Sequence, residues 1–430
     1  MKYRTAQFYK EFKCIGGICE DSCCENWEID LDEASLKKYM KQGGEFGKRL
    51  KDCTKVKDKQ FILNGTRCPF LNEDNLCDIF IEMGEESLCE TCTNFPRHVE
   101  EFENLKEVSL TMSCPEASRI MLAKKEKISF LCEEGTDEEY GLKHIEPVKS
   151  LAFWKKPHAN KLDKPLFEVL YEARQLMFDI LQNRQEPIAK RAALVLVLGN
   201  RIQELIDSKN YAGIYKTVEK YRKKLETSDI DKLKKEWEKF SSMYNKRVTE
   251  KEVWLKQILN MYEGLETIKA EWTELLSMGM DVMHGRDNLK SMLVAAGMVQ
   301  EEEPGEETDS FLRNYAVSYQ EFMRYYQEKE YEFEHILVYY IFNYFLGAAY
   351  DHDAFTKVKF AVISYLVILE LDVALWLKQQ KEFLYEDQVL VAHAYSKEVE
   401  HSYNNFESLQ LVLSAHPILD VEHILIGLLS

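Results

Sequence analysis

Beyond Cys132 the chain has no cysteine, although it runs to 430 residues. All eleven cysteines lie between Cys14 and Cys132, a segregation that packing alone would not produce. Thiolates gathered in one third of a chain point to a metal or an iron–sulfur cluster. Histidine is nearly missing from the same stretch, where His98 stands alone. That excludes the mixed histidine sites of hydrolytic zinc enzymes and favours all-thiolate ligation. Proline is scarce past Pro165, where only Pro187, Pro304 and Pro417 interrupt the helical patterns. Positive charge is in deficit. A net charge of -18 argues against a general nucleic-acid binder, and it suits a partner that presents lysines. The opening residues lack the apolar core of a signal peptide, so the chain reads as cytoplasmic, where thiols stay reduced. The odd cysteine count and the adjacent pair Cys23–Cys24 suit a disulfide framework poorly. No membrane insertion is expected. The apolar stretch from His335 to Ala349 is too short, and the run from Phe360 to Leu377 carries Glu370 and Asp372, which marks a buried helix.

The sequence predicts a mainly α protein, with a small, loop-rich metal domain over residues 1–132 and a large helical body over 165–430. The acidic run from Glu133 to Glu139 reads as a solvated linker within a connection over 133–164. A second acidic run, around 300–309, reads as a surface loop interrupting the body. Within the first domain, Asp30 to Met40 reads as a helix with Ala34, Leu36 and Tyr39 facing inward, and Phe61 to Leu63 as a short strand. In the body, Leu166, Leu170, Ala173, Met177 and Ile180 share one helical stripe, and Leu255, Leu259, Tyr262 and Leu265 another. Pro165 and Pro187 sit where helices can begin. No internal repeat is visible, and nothing fixes an oligomeric state.

The cysteines are spaced for convergence. Cys14, Cys19, Cys23 and Cys24 follow a C-x4-C-x3-C-C pattern, with Gly16 and Gly17 permitting a tight turn. Cys68 and Cys77 bracket an Asn-Glu-Asp-Asn core that resembles a hairpin turn, which brings both thiols to its base. Cys89 and Cys92 form a C-x2-C pair and Cys114 follows, which gives eight or more candidates. One four-iron cluster leaves thiols to spare. Two sites, a cluster plus a structural zinc, and a purely structural zinc domain all stay open, because softness does not separate the two metals.

These blocks resemble a known family. Cys14-x4-Cys19-x3-Cys23-Cys24-x2-Trp27, Cys68-Pro-Phe-Leu-x6-Cys77, Cys92-x2-Phe95-Pro96-Arg97 and Cys114-Pro115-Glu116-Ala117-x-Arg119 resemble the flagellin lysine N-methylases. The likeness is strongest from about residue 10 to 120. Weaker blocks follow from His335 and at Ser396-Lys397-x2-Glu400-His401. The resemblance implies transfer of a methyl group from S-adenosylmethionine to lysines of flagellin, with an iron–sulfur cluster, 4Fe-4S in type. It carries the ligand role over to Cys14, Cys19, Cys23, Cys24, Cys68, Cys77, Cys92 and Cys114. Cys53, Cys89 and Cys132 fall outside the pattern and read as ordinary small thiols. Asn26 replaces the glycine that the family tends to place before the tryptophan. Asparagine tolerates a left-handed backbone, so the turn can survive.

Lysine methylation needs a neutral amine, and a free lysine with a pKa of about 10.4 is protonated at neutral pH. The site must desolvate that amine or offer a base. The chain has no strand followed by G-x-G-x-x-G, so a donor site would not be the usual doubly wound sheet. The radical-enzyme pattern C-x3-C-x2-C is also missing, since Asn26 stands at its third position. Arg97 is a candidate for the donor's carboxylate, and more simply a charge that compensates anionic thiolates. Glu400 and His401 include a candidate base, and more simply a solvated helix surface. The aromatic stripe of Tyr339, Tyr340, Phe342, Tyr344 and Phe345 reads as core. Two other classes fit the same residues: a zinc-stabilised, non-catalytic flagellin-binding protein, and a redox cysteine-cluster protein.

Overall fold

The computed structural model describes residues 1–27, 29–143, 161–226, 238–244, 247–284 and 317–430. The protein is mainly α, as expected. It divides into two compact units. The first is Met1–Ala159 with Glu266–Lys269 and Ala392–Phe406, and the second is Asn160–Leu265, Ala270–Val391 and Glu407–Ser430.

The first unit contains a four-stranded sheet. Its strands are β1 (Lys2–Ala6), β4 (Arg97–Phe102), β5 (Leu105–Leu110) and β6 (Phe130–Glu134), in the order β4-β5-β1-β6. β1 runs parallel to β5, with Arg4 opposite Glu107, and antiparallel to β6, with Arg4 opposite Cys132. β4 and β5 form a hairpin whose turn holds Glu103 at φ 51, the left-handed backbone that tight hairpins need. The acidic run is solvent-exposed but is not a linker. Glu133 and Glu134 close β6, and Asp137 accepts hydrogen bonds from Tyr3 (2.8 Å) and Lys106 (2.7 Å). Paired backbone groups and two side-chain donors outweigh the mutual repulsion of the acids there.

A short ladder, β2 (Thr54–Lys55) with β3 (Gln60–Phe61), takes the place of the strand expected at 61–63. Five helices accompany it: α1 (Glu33–Lys41), α2 (Gly44–Asp52), α3 (Asp78–Met83), α4 (Glu90–Asn94) and α5 (Pro115–Leu122). α1 starts three residues later than expected because the Asp32 carboxylate accepts the Ser35 N–H at 2.8 Å, an N-cap. That start sets the face. Ser35, Leu36 and Tyr39 point inward, and Ala34 is exposed.

The second unit is built from helices. α6 (Lys164–Leu181) opens with Pro165 in its first turn, and α7 (Ile188–Asp207) opens directly after Pro187. They are followed by α8 (Tyr211–Glu226), α9 (Val248–Glu263), α10 (Ala270–His284), α11 (Tyr331–Tyr344) and α12 (Ala354–Lys378). α13 (Tyr385–Glu400) and α14 (Tyr403–Ala415) each contribute to both units, and α15 (Val421–Leu429) completes the fold. The Leu166–Ile180 stripe is fully buried, as are Leu255, Leu259 and Tyr262. Leu265 lies past the end of α9 and is half-buried. Gly199 lets α7 approach α12, since a Cβ there would meet Val358 at 2.8 Å. α12 is long and apolar enough to cross a membrane, but 89% of its apolar window is buried within the protein, Glu370 and Asp372 included. The aromatic stripe of α11 is core. The acidic run at 300–309 lies outside the described residues.

Candidate functional site: the cysteine loop and the end of α13

The chain between β1 and α1 makes two short 3-10 turns and carries Cys14, Cys19, Cys23 and Cys24. Gly16 has φ 61, and a Cβ on Gly17 would meet the Asp74 carbonyl at 2.6 Å, so both glycines are required by the turn. Asn26 holds φ 69, the left-handed backbone expected where a glycine is replaced. The indole N–H of Trp27 donates to the Cys23 carbonyl and closes the loop. The Asn72 side chain accepts the Asp74 N–H (3.0 Å) and the Leu76 N–H (2.9 Å), and Leu71 bridges Cys77. Leu71 rather than Cys68 stands opposite Cys77 across the turn, and Cys68 is near enough to Cys77 for the two thiols to influence each other.

All eleven cysteines are free thiols. The eight candidates fall into two neighbourhoods. Cys14, Cys19, Cys23 and Cys114 are close enough for mutual electrostatic influence. Cys24, Cys68, Cys77 and Cys92 form the other group, within a hydrophobic core that includes Tyr39, Leu50, Phe61 and Phe70. Cys89, which the sequence pattern set aside, belongs to this second group: it is 1% exposed and hydrogen-bonded to Cys92. A hydrogen bond between Cys23 and Cys24 joins the two groups, raising the Cys23 thiol and lowering Cys24. Burial pushes Cys68 up and takes Cys114 to about 12. Cys53 packs on the same core, and Cys132 is exposed on β6. The donor chemistry suits a soft metal. The positions do not make a closed sphere: among the described residues no three Cys, His, Asp or Glu side chains converge to hold an ion.

Beside the first group lies an ionic cluster that sequence reading missed. Asp21, between Cys19 and Cys23, is buried and accepts a hydrogen bond from Lys397 Nζ at 2.7 Å. Lys269 also pairs with it, and His393 Nδ1 lies 3.6 Å from its other oxygen. His393 and Lys397, four residues apart, share one face of α13, and His401 follows four residues on, just past its end. Lys269 is brought there by a short segment tied to this region. The Ile268 N–H donates to Glu398 at 2.9 Å, the Glu266 N–H to Asn405 at 2.8 Å, and Asn405 Nδ2 to the Glu266 carbonyl at 2.7 Å. Burial alone would raise Asp21, but the two lysines outweigh it and hold its pKa below the ordinary value.

His401 and Glu400 are not solvated, as the sequence suggested, but buried. His401 packs edge-on to Trp27, with centroids 5.4 Å apart, and lies 5.3 Å from Phe95. Its Nε2 shares a hydrogen bond with the Ser113 hydroxyl, and Glu400 accepts one from Ser396. Burial lowers His393 to about 4 and His401 to about 3, so both imidazoles are neutral at neutral pH. The only available sequence signal was the Ser396–His401 block itself, because nothing local says which residues face it across the fold.

Arg97 is taken up elsewhere. Its Nε donates to the Tyr9 hydroxyl (3.1 Å) and the Tyr140 carbonyl (3.2 Å), and its guanidinium lies 5.8 Å from the Phe12 ring. Its neighbours are a phenol, carbonyls and a ring, which places it as a clamp on the Tyr9–Tyr140 side of the sheet.

The model of the FliB lysine N-methylase C-terminal domain matches residues 174–427, more than half of the chain. The chain belongs to the FliB lysine N-methylase family. The matched range covers the helical body and α13, not the cysteine blocks. The flagellar biosynthetic protein FliU of Salmonella muenchen is 33% identical over 143 residues, covering 29% of this chain and 82% of that protein. The lysine-N-methylases of Salmonella typhimurium (strain LT2) and Salmonella choleraesuis (strain SC-B67) are 33% identical over 129 residues. Those matches cover 26% of this chain and 31% of each relative, so this chain spans about a third of their length. No solved structure matches.

Proposed function

We propose that this FliB-family chain is a protein-lysine N-methyltransferase that acts on flagellin in the cytoplasm, with S-adenosylmethionine as donor. The observation that carries the reading is the junction of the cysteine loop with the end of α13. Asp21, His393, Lys397 and His401 are buried there with the partly buried Lys269, and His401 packs against Trp27 and Phe95.

In the transfer, the lone pair of the lysine amine attacks the sulfonium methyl carbon. The carbon–sulfur bond breaks, its electrons stay on sulfur, and the amine loses its proton to a base or to solvent. The amine must arrive neutral. Two lysines beside one aspartate make a cationic, desolvated surrounding that disfavours a third ammonium. His393, whose Nδ1 faces Asp21 at 3.6 Å, is the proposed proton acceptor.

The thiols suggest a metal group, and the family resemblance suggests a 4Fe-4S cluster. Cys14, Cys19, Cys23 and Cys114, which adjoin Asp21, are the thiols that would have to draw together to hold it; such a group would supply redox or electrostatic chemistry. The burial of Cys24, Cys68, Cys77, Cys89 and Cys92 in a hydrophobic core favours a structural role for that set, with zinc as the alternative metal.

The test joins composition and activity. Protein purified without oxygen is assayed for iron, sulfide and zinc, and for methyl transfer to flagellin. A His393→Asn variant should lose about 10²-fold or more in rate at neutral pH and recover part of it at alkaline pH, where the substrate amine is already neutral. Flagellin left unmethylated by the wild type would end the proposal. A pH-independent loss in the variant would remove the base role.

A further inference from the structure

From Cys68 to Pro96 the chain has seven acidic residues and no lysine, arginine or histidine. The structure places much of this stretch on one surface. Phe80 and Ile81 on α3 are 48% and 55% exposed, Leu76 just before it is 43% exposed, and Ile18 is 83% exposed. The Ile18 turn abuts the Asp74–Leu76 turn: a Cβ on Gly17 would meet the Asp74 carbonyl and, at 3.4 Å, the Leu76 side chain. The same turn carries Cys14 and Cys19, so the apolar face runs on from the candidate metal centre. Asp74, Glu82, Glu85 and Glu86 lie along it, all exposed. Among the described residues none of these four carboxylates pairs with a cation, whereas the nearby Arg49 and Arg67 are engaged by Asp78 (2.7 Å) and Glu25 (2.5 Å).

We propose that this face docks the protein substrate through a segment in which lysines flank apolar side chains. The inference rests on the methyltransferase reading and adds where the acceptor protein binds. Large apolar side chains left in water beside unpaired carboxylates suit a partner that is apolar at its centre and cationic at its rim. A second copy of this chain would set acid against acid, which disfavours self-association through the same face.

The experiment uses the full chain, purified flagellin monomer as probe, and two surface variants, Phe80→Ser/Ile81→Ser and Glu82→Lys/Glu85→Lys/Glu86→Lys. Binding and steady-state methylation are measured, with circular dichroism to confirm the fold. The expected result is a Kd and KM raised about tenfold or more in each variant, kcat unchanged at saturating flagellin, and wild-type binding that weakens with added salt. Unchanged KM and Kd in both variants, with an active wild type, would overturn the docking surface and leave the methyltransferase standing. A change of oligomeric state without a change of KM would assign the face to self-association and also overturn it. A wild type that neither binds nor methylates flagellin would end both readings.

Discussion

Replacing Asp21 should loosen the end of α13 far more than replacing either of its lysine partners. Asp21 is 5% exposed, and its partners Lys397 and Lys269 have side chains 7% and 17% exposed, so solvent screens the Lys397 pair little. Asp21→Ala leaves the buried Lys397 ammonium and the partly buried Lys269 ammonium without a counter-charge, a loss of about 3–5 kcal/mol. Lys397→Met leaves Asp21 still paired with Lys269 and should cost about 1.5–3 kcal/mol, the worth of one hydrogen bond to a charged group. The double variant should cost less than the two losses combined, by a coupling energy within about 0.5–3 kcal/mol. Global unfolding is a poor probe in a chain of two compact units. Native-state hydrogen exchange of peptides covering 14–30 and 390–406 reads local opening instead. Faster exchange in both peptides, ordered Asp21→Ala above Lys397→Met, is the expected pattern. Strict additivity, or faster exchange in only one of the two peptides, would refute the cluster as the tie between the loop and the helix.

Three further outcomes follow from the geometry. Burial raises Glu370 from 4.5 to about 7, and at 1.36 kcal/mol per pH unit this is about 3 kcal/mol. Its contribution is full below pH 4.5, falls as pH rises because the unfolded chain ionises first, and is gone above about 7. Melting of Glu370→Gln between pH 4.5 and 8 should therefore vary less with pH than that of the wild type. Cys23→Ala or Cys68→Ala should each lower bound metal, and Cys53→Ala should not, as read by metal content per chain; metal loss on Cys53→Ala would count the outer thiols among the ligands. Gly427→Ala would drive a methyl group into the Trp254 ring, which hydrogen-bonds the Ile418 carbonyl at 2.6 Å, and should destabilise the protein by about 1–3 kcal/mol, measured by thermal unfolding.

The helical body was legible because long 3.6-residue stripes survive without tertiary information, as at Leu166–Ile180, and because Pro165 and Pro187 mark where helices start. The sheet of the first unit was not legible. In β4 the inward residues include His98 and Glu100, and in β1 they include Arg4, which is 3.6 Å from Glu107. Polar groups paired across strands erase the apolar alternation that betrays a strand. The cysteine motif announced its turns, through Gly16, Gly17 and Asn26, but not its partition. Cys23 and Cys24 are adjacent yet serve different neighbourhoods, and Cys89 joins the second through packing rather than spacing. The pairing of Asp21 with Lys397 spans 376 positions, and no local pattern encodes a contact of that separation.

The first unit is discontinuous, and this sets an order of events during synthesis. Its cysteine loop leaves the ribosome early, but Lys269 is made only after more than half of the 430 residues, and His393, Lys397 and His401 later still. At about 5–20 residues per second, some tens of seconds separate the two. Until Lys269 is made Asp21 has neither partner lysine, and until α13 is made it lacks Lys397 and His393. The nascent chain therefore carries Cys14, Cys19 and Cys23 through this interval before the ionic cluster around Asp21 can form.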